Sequence, residues 1–200
     1  KMINILTQKI EDSLIESEDI ELVKTIDDKF PYPLDNFQKH ACFRTSKNEN
    51  VLVTANTGSG KTLIAEHAIL ESIRLGKKAI YTSPIKSLSN QKFSEFTKKF
   101  GDKMSIGILT GDIKFNPDAD CVIMTTEILR NLLYKKNTNN EILEKTLTID
   151  IDIYNDVHAV IFDEVHYIND KDRGKVWEEC IILLPSKINL VMLSATIDRA

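Results

Sequence analysis

The sequence predicts an α/β fold, a parallel sheet with helices on both faces. The prediction rests on the alternation of strand-like and helix-like stretches and on one clear strand-loop-helix unit. Short apolar runs of strand length alternate with stretches of helical periodicity along the chain. Such alternation is typical of parallel sheets, because each crossover between parallel strands usually contains a helix. The clearest unit is an apolar run at 51–53, a loop with two glycines and an apolar-periodic helix at 63–75.

Each element has its own local signal. Asp35 or Asn36 can cap a first helix that runs through Gln38. Pro84 ends the second strand, and Pro185 closes the last helix. Apolar runs predict strands at 51–53, 78–83, 105–109, 121–124, 157–162 and 190–193, and helical spacing predicts helices at 63–75, 86–100, 127–134 and 177–184.

Two segments fall outside this alternation. Residues 1–29 are acidic and lack strong periodicity, so we expect an N-terminal extension followed by a domain at 30–200. Residues 135–156 begin with a polar stretch and continue with spaced leucines and isoleucines. We expect a surface excursion there, with a helical turn and an extended piece.

Composition and charge exclude some classes of function. The net charge is −4, so a broad basic surface for nucleic acid is absent, and any such binding must use backbone amides, helix N-termini and hydroxyls. No apolar run reaches membrane-spanning length, so no membrane partner is expected. The three cysteines lack metal-ligand spacing, which predicts reduced thiols in an intracellular protein, cytoplasmic or nuclear.

The loop after the run at 51–53 predicts a phosphate-binding site. Its glycines let backbone N–H groups point at phosphate oxygens, and the following helix N-terminus adds a positive dipole end. Lys61 is expected to reach the β- and γ-phosphates, and the Thr62 hydroxyl is expected to ligate Mg²⁺. Alanine replaces the usual first glycine, which gives the form A-x-x-G-x-G-K-T. The loop consists of Ala55, Asn56, Thr57, Gly58, Ser59, Gly60, Lys61 and Thr62.

Gln38 lies upstream of this loop, at the start of the first predicted helix. Its amide can pair with both the donor and the acceptor of an adenine edge. Phe30 can stack on the base or pack beside it. A glutamine after a phenylalanine is more often an ordinary surface residue, but its position before the phosphate loop favours ATP as the ligand.

Asp163 and Glu164 directly follow the predicted strand at 157–162, at the sheet edge where open α/β sheets bind ligands. Mg²⁺ takes one or two carboxylates and keeps most of its water, so Asp163 is expected to hold it through water, opposite Thr62. Glu164 is expected to polarise the water that attacks the γ-phosphorus. The alternative is that the two acids merely cap the next helix.

The order of motifs argues against that alternative. The acidic pair follows the phosphate loop and precedes Ser194-Ala195-Thr196, which ends the last predicted strand. His166 is expected to couple the nucleotide state to neighbouring polar groups, including Thr196 or groups of another domain.

Three further loops on the same sheet edge could hold single-stranded nucleic acid. They offer hydroxyls, small residues and helix N-termini, which suit backbone phosphates better than base edges. Each hydroxyl alone is more often an ordinary N-cap, but three such loops on one edge favour binding. The candidate residues are Pro84, Lys86, Ser87, Gly111, Thr125 and Thr126.

The order of the motifs resembles the first RecA-like domain of superfamily 2 helicases, and Asp163-Glu164-Val165-His166 is similar to the acidic motif of the DExH group. Longer stretches resemble the Ski-like branch of DExH-box RNA helicases, the superkiller and exosome-cofactor branch. They are TSPIKSLSNQKF at 82–93, LTGD at 109–112, MTTEILR at 124–130, and NDKDRG with VWEE between 169 and 179.

This resemblance implies a RecA-like P-loop NTPase domain of an ATP-dependent 3′–5′ RNA helicase that translocates on single-stranded RNA in RNA decay or processing. It implies that Ser194 and Thr196 link the nucleotide state to strand separation, and that the loops at Pro84, Gly111 and Thr126 line the RNA path. For the nucleotide it implies adenine contact by Gln38, phosphate and Mg²⁺ contact by Lys61 and Thr62, and Mg²⁺ and water contact by Asp163 and Glu164.

The chain departs from the family pattern at two places. Ser87 stands where the family usually has alanine, beside the RNA path. The segment 135–156 is about ten residues longer than the family leads us to expect, so partner contacts there cannot be transferred.

The expected partners are single-stranded RNA, a second RecA-like domain outside these residues, and an RNA-decay complex. An arginine finger from that domain contributes about 10³- to 10⁵-fold in related phosphoryl transfer. We therefore expect these residues alone to bind ATP weakly, hydrolyse it very slowly and not unwind. A DNA helicase of a neighbouring branch and a nucleotide-gated scaffold remain alternatives.

Overall fold

The computed structural model describes residues 24–26, 28–137, 151–169 and 171–195. The strands are β1 (Val51–Ala55), β2 (Lys78–Ser83), β3 (Ile106–Leu109), β4 (Lys114–Phe115), β5 (Cys121–Thr125), β6 (Val157–Phe162) and β7 (Asn189–Ala195). The helices are α1 (Asn36–Ser46), α2 (Thr62–Arg74), α3 (Lys86–Phe100), α4 (Thr126–Asn137), α5 (Ile153–Asp156) and α6 (Lys171–Leu183), with a 3₁₀ helix at Val165–Asn169.

The strands form one seven-stranded sheet in the order β1-β7-β6-β2-β5-β3-β4. All neighbouring pairs are parallel except β3 and β4. Helices lie between β1 and β2, between β2 and β3, between β5 and β6 and between β6 and β7, whereas β3 and β5 are joined through β4 without a helix. The predicted α/β class with a parallel sheet is confirmed.

β4 is the exception to the sequence-based expectation of a parallel sheet. It has only two residues, both exposed, and pairs antiparallel with the end of β3. A strand this short shows no alternation of apolar and polar residues, so periodicity cannot reveal it. It forms the edge of the sheet beyond β3.

The core lies on both faces of the sheet, because successive strand residues point to opposite sides. On one face, Tyr81 of β2 belongs to a cluster with Ile64 of α2 and Phe96 of α3. On the other, Ile80 belongs to a cluster with Leu133 of α4. Since both faces are covered, β5, β6 and β7 are mostly apolar, and the polar Thr82 and Ser83 lie at the carboxyl end of β2.

The ends of the predicted excursion at 135–156 need correction. Helix α4 continues to Asn137, and α5 begins at Ile153 with the Asp152 carboxylate accepting a hydrogen bond from the Asn155 backbone N–H. Ile151 and Ile153 are buried in the core cluster beside α4 and α6. The two isoleucines are buried rather than at the surface because they pack against apolar residues of these helices. The remainder, 138–150, lies outside the described residues.

The described end of the predicted N-terminal extension contacts the domain. Ile26 is fully buried in the core, and the Lys29 ammonium lies 3.2 Å from the Glu71 carboxylate of α2. Residues 1–23 lie outside the described parts of the chain, so the boundary at residue 29 stays a prediction. Across the described ranges, no helix combines the length and apolar character needed to cross a membrane.

His67 is a fully buried histidine on α2, and its Nε2 lies 2.8 Å from the Ser46 Oγ of α1. Burial, reinforced by the positive charge of Lys29, lowers the pKa of His67 from 6.5 to about 4. The buried imidazole is therefore neutral near pH 7, because protonation would place a charge in the interface between α1 and α2.

We expect this histidine to make stability pH-dependent. Between pH 6.5 and about 4 the unfolded state binds a proton at residue 67 that the folded state does not. Stability is then full above pH 6.5 and declines as the pH falls through this window, by about 3 kcal/mol at most. Chemical denaturation at pH 7 and pH 4 should show a smaller loss in His67→Gln than in the wild type.

The matched control is Thr45→Val, which changes a buried polar residue of α1 that has no titratable group. The loss of stability between pH 7 and pH 4 should be the same in this variant as in the wild type. An equal loss in His67→Gln and Thr45→Val would show that the buried imidazole is not the group responsible.

Candidate functional site

The carboxyl ends of β1, β7, β6 and β2 meet at one edge of the sheet. β7 pairs with β1 through Ala55 and Ala195, and β6 pairs with β2 through Thr82 and Phe162. The loop after β1 and the residues after β6 are consequently separated by only one strand. This is the edge where the sequence predicts a ligand.

The loop from Ala55 to Thr62 has the shape expected of a phosphate loop. Gly58 and Gly60 have φ angles of +82° and +81°, which only glycine adopts without strain, and α2 begins at Thr62. The Lys61 ammonium donates to the Ala55 carbonyl at 2.5 Å and to the Asn56 carbonyl at 2.8 Å. Lys61 therefore lies across its own loop.

A cavity of about 350 Å³ adjoins this loop and brings together most of the predicted nucleotide residues. It lies between the start of α2, the end of β6, the end of β7 and one side of α3. Its lining includes Thr57, Gly58, Gly60, Lys61, Thr62, Asp163, Glu164 and Ala195, with Leu88, Gln91 and Lys92 from α3.

The three α3 residues in this lining were missed by reasoning from the motifs. Leu88, Gln91 and Lys92 have the spacing of neighbours on one helix face, so periodicity groups them together. It does not reveal what this face contacts, because that depends on how α3 packs across the sheet.

Gln38 is buried against the phosphate loop. Its Oε1 accepts from the Asp35 backbone N–H at 2.9 Å, and its Nε2 donates to the Gly60 carbonyl at 3.2 Å. The first bond belongs to a capping box at the start of α1, which confirms Asp35 as the cap. Each amide atom retains one further hydrogen-bonding position, so a base edge can still be paired. Phe30 is half-buried against the core and its ring lies 6.3 Å from that of Tyr32.

Asp163 is held at the end of β6 by three contacts. Its backbone N–H donates to the Thr82 carbonyl at 2.9 Å, and its Oδ1 accepts from the Glu164 backbone N–H at 2.9 Å. Its Oδ2 accepts from the hydroxyl of Tyr81, a fully buried residue of β2. Burial, with the negative charge of Asp163, raises the pKa of Tyr81 well above 10, so the hydroxyl keeps its proton and remains a donor.

Glu164 has a φ of +54°, which is unusual for a residue with a side chain. Its carbonyl accepts from the Tyr167 backbone N–H at 3.0 Å as the 3₁₀ helix begins. Strained backbone of this kind is concentrated at functional sites, where the surrounding structure enforces it. Here the strain turns the chain sharply between β6 and the 3₁₀ helix and leaves the Glu164 side chain in the cavity lining.

His166 lies between Glu164 and the end of β7. Its Nδ1 is 3.2 Å from Glu164 Oε2 and 3.3 Å from the Ala195 backbone nitrogen. One nitrogen cannot donate to the carboxylate and accept from the amide at once, so the two contacts require different protonation states of Nδ1. Ser194 is buried in β7 and its hydroxyl donates to the Ala195 carbonyl at 3.0 Å. Thr196 lies outside the described residues.

The three loops predicted for nucleic acid are neighbours. The Thr126 hydroxyl donates to the Ser83 carbonyl at 3.2 Å, which joins the loops after β5 and β2. The Lys86 ammonium lies 2.5 Å from the Asp112 carboxylate, which joins the loops after β2 and β3. Lys86, Ser87 and Gly111 are exposed, whereas Thr125 is buried.

A second cavity of about 350 Å³ lies beside these loops and shares Asp163 and Glu164 with the first. The two carboxylate residues thus stand between the two cavities. The other lining residues are Pro84, Thr126, Glu127, Arg130, Val165, Tyr167, Val176 and Trp177.

Comparison with known proteins identifies the family. A family model described as DEAD/DEAH box helicase matches residues 35–200. The chain belongs to the DEAD/DEAH box helicases. Members of this family use ATP, and the predicted resemblance is confirmed at the level of the family.

Three curated proteins illustrate what this helicase chain is similar to. "Antiviral helicase SKI2" of Saccharomyces cerevisiae is 49% identical over 90% of this chain and 13% of the relative. "ATP-dependent RNA helicase mtr4" of Schizosaccharomyces pombe is 48% identical over 86% of this chain and 14% of the relative. Human "Superkiller complex protein 2" is 47% identical over 83% of this chain and 12% of the relative. The chain therefore spans roughly an eighth of the length of these relatives, and its Ski-like resemblance is confirmed.

A solved helicase structure has the same fold. The DUF1998 helicase MrfA, solved bound to DNA and AMPPNP, superposes with a TM-score of 0.62 over 91% of this chain and 26% of that chain. The identity is 20%, so the likeness concerns the fold alone.

Gly60 offers a test of the contact between Gln38 and the loop. A Cβ at residue 60 would lie 2.5 Å from the Gln38 Nε2, so the amide must move away in Gly60→Ala. We expect ATP affinity to fall about tenfold, because loop hydrogen bonds are lost and positive φ is strained. The preference for ATP over GTP should fall too, as competition with a fluorescent nucleotide can measure.

Gly76→Ala is the matched control for this substitution. Gly76 ends α2 with a φ of +66°, and a Cβ there meets nothing within 4 Å. It should carry a similar backbone strain and leave nucleotide affinity unchanged. If Gly60→Ala keeps the wild-type ratio of ATP to GTP affinity, Gln38 does not select the base.

Proposed function

We propose that this chain is the first RecA-like, ATP-binding domain of an ATP-dependent 3′–5′ RNA helicase, one that couples ATP hydrolysis to translocation on single-stranded RNA in RNA decay or processing. The observation that carries the proposal is the shared wall between the two cavities, since Asp163 and Glu164 line both. Membership of the DEAD/DEAH box helicases and the named functions of the relatives support it.

The phosphate loop is proposed to hold the nucleotide. Lys61 leaves the Ala55 and Asn56 carbonyls and binds the β- and γ-phosphates, and backbone amides of the loop and of the start of α2 bind phosphate oxygens. The lysine exchanges two carbonyl acceptors for charged oxygens, which are stronger hydrogen-bond partners. Gln38 then pairs with the adenine edge and Phe30 packs beside the base.

The residues of the cavity fit a magnesium ion. Thr62 and Asp163 offer a hydroxyl and a carboxylate, both oxygen ligands, in the lining of the cavity that holds Lys61. Within the described ranges, no group of three or more His, Cys, Asp and Glu side chains forms a ready-made metal cage. This suits Mg²⁺, which takes one or two carboxylates and completes its shell with water and substrate phosphates. When bound, the ion neutralises charge on the phosphates.

Glu164 is proposed to be the general base of ATP hydrolysis. Its side chain lines the nucleotide cavity, and its strained backbone fixes the direction in which the side chain leaves the 3₁₀ turn. Glu164 orients the attacking water and takes its proton, while Lys61 balances charge on the γ-phosphate. His166 contacts Glu164 and β7, so it is proposed to couple the base to Ser194 and Thr196.

The RNA path is proposed to follow the loops after β2, β3 and β5. Pro84, Lys86, Ser87, Gly111, Thr125 and Thr126 supply these loops, and two side-chain contacts join them into one surface. The exposed groups among these residues are Lys86, Ser87 and Gly111, beside the start of α3, and groups of this kind suit the sugar-phosphate backbone and read little sequence.

The proposed partners are single-stranded RNA, a second RecA-like domain and an RNA-decay complex. "Superkiller complex protein 2" carries a complex in its name. We also propose an intracellular protein, which the buried free cysteines support, because none of the three forms a disulfide.

Replacing the proposed base tests the motor function. In the intact protein that carries these residues, Glu164→Gln should reduce ATP hydrolysis by about 10² to 10⁴-fold, since the amide cannot accept the proton of water. ATP binding should stay within about threefold, because the side chain acts on water rather than on the nucleotide. Turnover and nucleotide affinity are measured separately.

Glu178→Gln is the matched control, since Glu178 is exposed on α6 and lines neither cavity. It should keep full turnover. A Glu164→Gln protein that loses hydrolysis but keeps its cellular function would favour the nucleotide-gated scaffold over the motor.

The nature of the nucleic acid is tested with matched single strands. RNA should stimulate ATP hydrolysis more than DNA of the same sequence, because 2′-hydroxyls distinguish the two at sugar contacts. An RNA whose sugars are 2′-deoxy only in the bound stretch should behave like DNA. Equal stimulation by all three strands would favour a DNA helicase of a neighbouring branch.

A further inference from the structure

Tyr81 is a polar residue at the centre of the sheet that the motifs do not account for. It lies in β2, between β5 and β6, and is 0% exposed. Its ring meets that of Phe96 edge-on, with centroids 5.3 Å apart. The ring is thus fixed by packing from α3, and its hydroxyl is directed at the end of β6, where it donates to Asp163.

The hydroxyl completes a set of donors that determines how the Asp163 carboxylate lies. Oδ1 accepts from the Glu164 backbone N–H, and Oδ2 accepts from Tyr81. An ionised carboxylate has about four lone-pair sites, so each oxygen keeps one for water or a cation. Because each carboxylate oxygen accepts a hydrogen bond from the protein, the orientation of the Asp163 carboxylate is fixed, and so is the direction of its remaining lone pairs.

We propose that Tyr81 is a positioning residue for the nucleotide-metal site, one that holds the Asp163 carboxylate in the orientation from which it binds hydrated Mg²⁺ with ATP. The inference rests on the proposed ATP-binding function. Tyr81 itself does not touch the nucleotide cavity, since its contacts are Asp163 and the core. It acts through the carboxylate, as outer hydrogen-bond partners of metal ligands commonly do.

The pairing of β2 with β6 makes this contact possible. Tyr81 is opposite Ile161 and Thr82 is opposite Phe162, so Asp163 follows directly beyond the last paired residue. The Asp163 backbone N–H extends the ladder to the Thr82 carbonyl at 2.9 Å. The carboxylate is therefore anchored through both its main chain and its side chain to the same strand.

The test is Tyr81→Phe in the intact protein, which removes the hydroxyl and keeps the ring. Nucleotide binding is titrated with Mg²⁺, from metal-free to saturating, with a fluorescent ATP analogue. The Mg²⁺ concentration at which nucleotide binding is half-maximally enhanced should rise about tenfold, because a charge-assisted hydrogen bond to Asp163 is lost. Affinity without metal should stay within about twofold, since Tyr81 does not touch the nucleotide.

Thr82→Val is the matched control on the same strand. Thr82 is also 0% exposed, and its hydroxyl donates to the Ile161 carbonyl at 3.0 Å. This variant loses a buried hydroxyl without changing a side-chain contact of Asp163, so its Mg²⁺ dependence should equal that of the wild type. Equal Mg²⁺ dependence of the two variants, or an equal loss of affinity with and without metal in Tyr81→Phe, overturns the proposal.

Two further variants separate positioning from folding. para-Aminophenylalanine at residue 81 restores a donor and should recover the wild-type Mg²⁺ dependence, which a mere packing role would not require. Adding Tyr81→Phe to Asp163→Asn should change the Mg²⁺ dependence no further, because the hydroxyl acts through that carboxylate. Failure of either result argues against positioning. A wild-type protein without Mg²⁺-dependent ATP binding would instead remove the proposed function, and this inference with it.

Discussion

The parallel register of β1, β7 and β6 is the constraint on which the rest of the site depends. Ala55 lies opposite Ala195, and Phe162 lies opposite Met192, so the three strands end at one edge. Parallel strands of a covered sheet are mostly apolar along their length, which leaves their carboxyl ends as the main place for polar groups. The phosphate loop and the carboxylates at 163 and 164 come together because each begins where such a strand stops.

β2 extends this arrangement to the loops proposed for RNA. Its end leads to Pro84, and the carbonyl of Ser83 accepts from Thr126 at the start of α4. One residue earlier, the Thr82 carbonyl accepts from Asp163. Asp163 and Thr126, which are proposed to serve the two different ligands, thus contact neighbouring residues at the end of one strand.

Sequence reasoning succeeded where the signal is local. The alternation of apolar runs and helical periodicity predicted the parallel class. The residues around Lys61 predicted the phosphate loop, and α2 begins at Thr62, at the end of that loop. It failed where the outcome depends on packing between distant segments. Two residues of β4 carry no period, and Ile151 is buried only because α4 and α6 pack over it.

The candidate site divides in the same way. The motifs predict that Asp163 and Glu164 lie near the phosphate loop, because the order of strands and loops can be read from the sequence. They do not predict that Tyr81 supports Asp163, since this requires the register of β2 against β6. Nor do they predict the positive φ of Glu164, which arises from the turn between β6 and the 3₁₀ helix.

Two side chains proposed to bind ligand must give up partners within the protein. The Lys61 ammonium donates to the carbonyls of its own loop, and the Lys86 ammonium pairs with the Asp112 carboxylate. Each ligand therefore replaces an existing contact, and its binding free energy is a difference between two sets of hydrogen bonds. An exchange of this kind gives modest affinity but two defined arrangements of the same residues. Because a ligand shifts an equilibrium only through differential contacts, these exchanges are what could allow nucleotide and RNA to switch the domain between states.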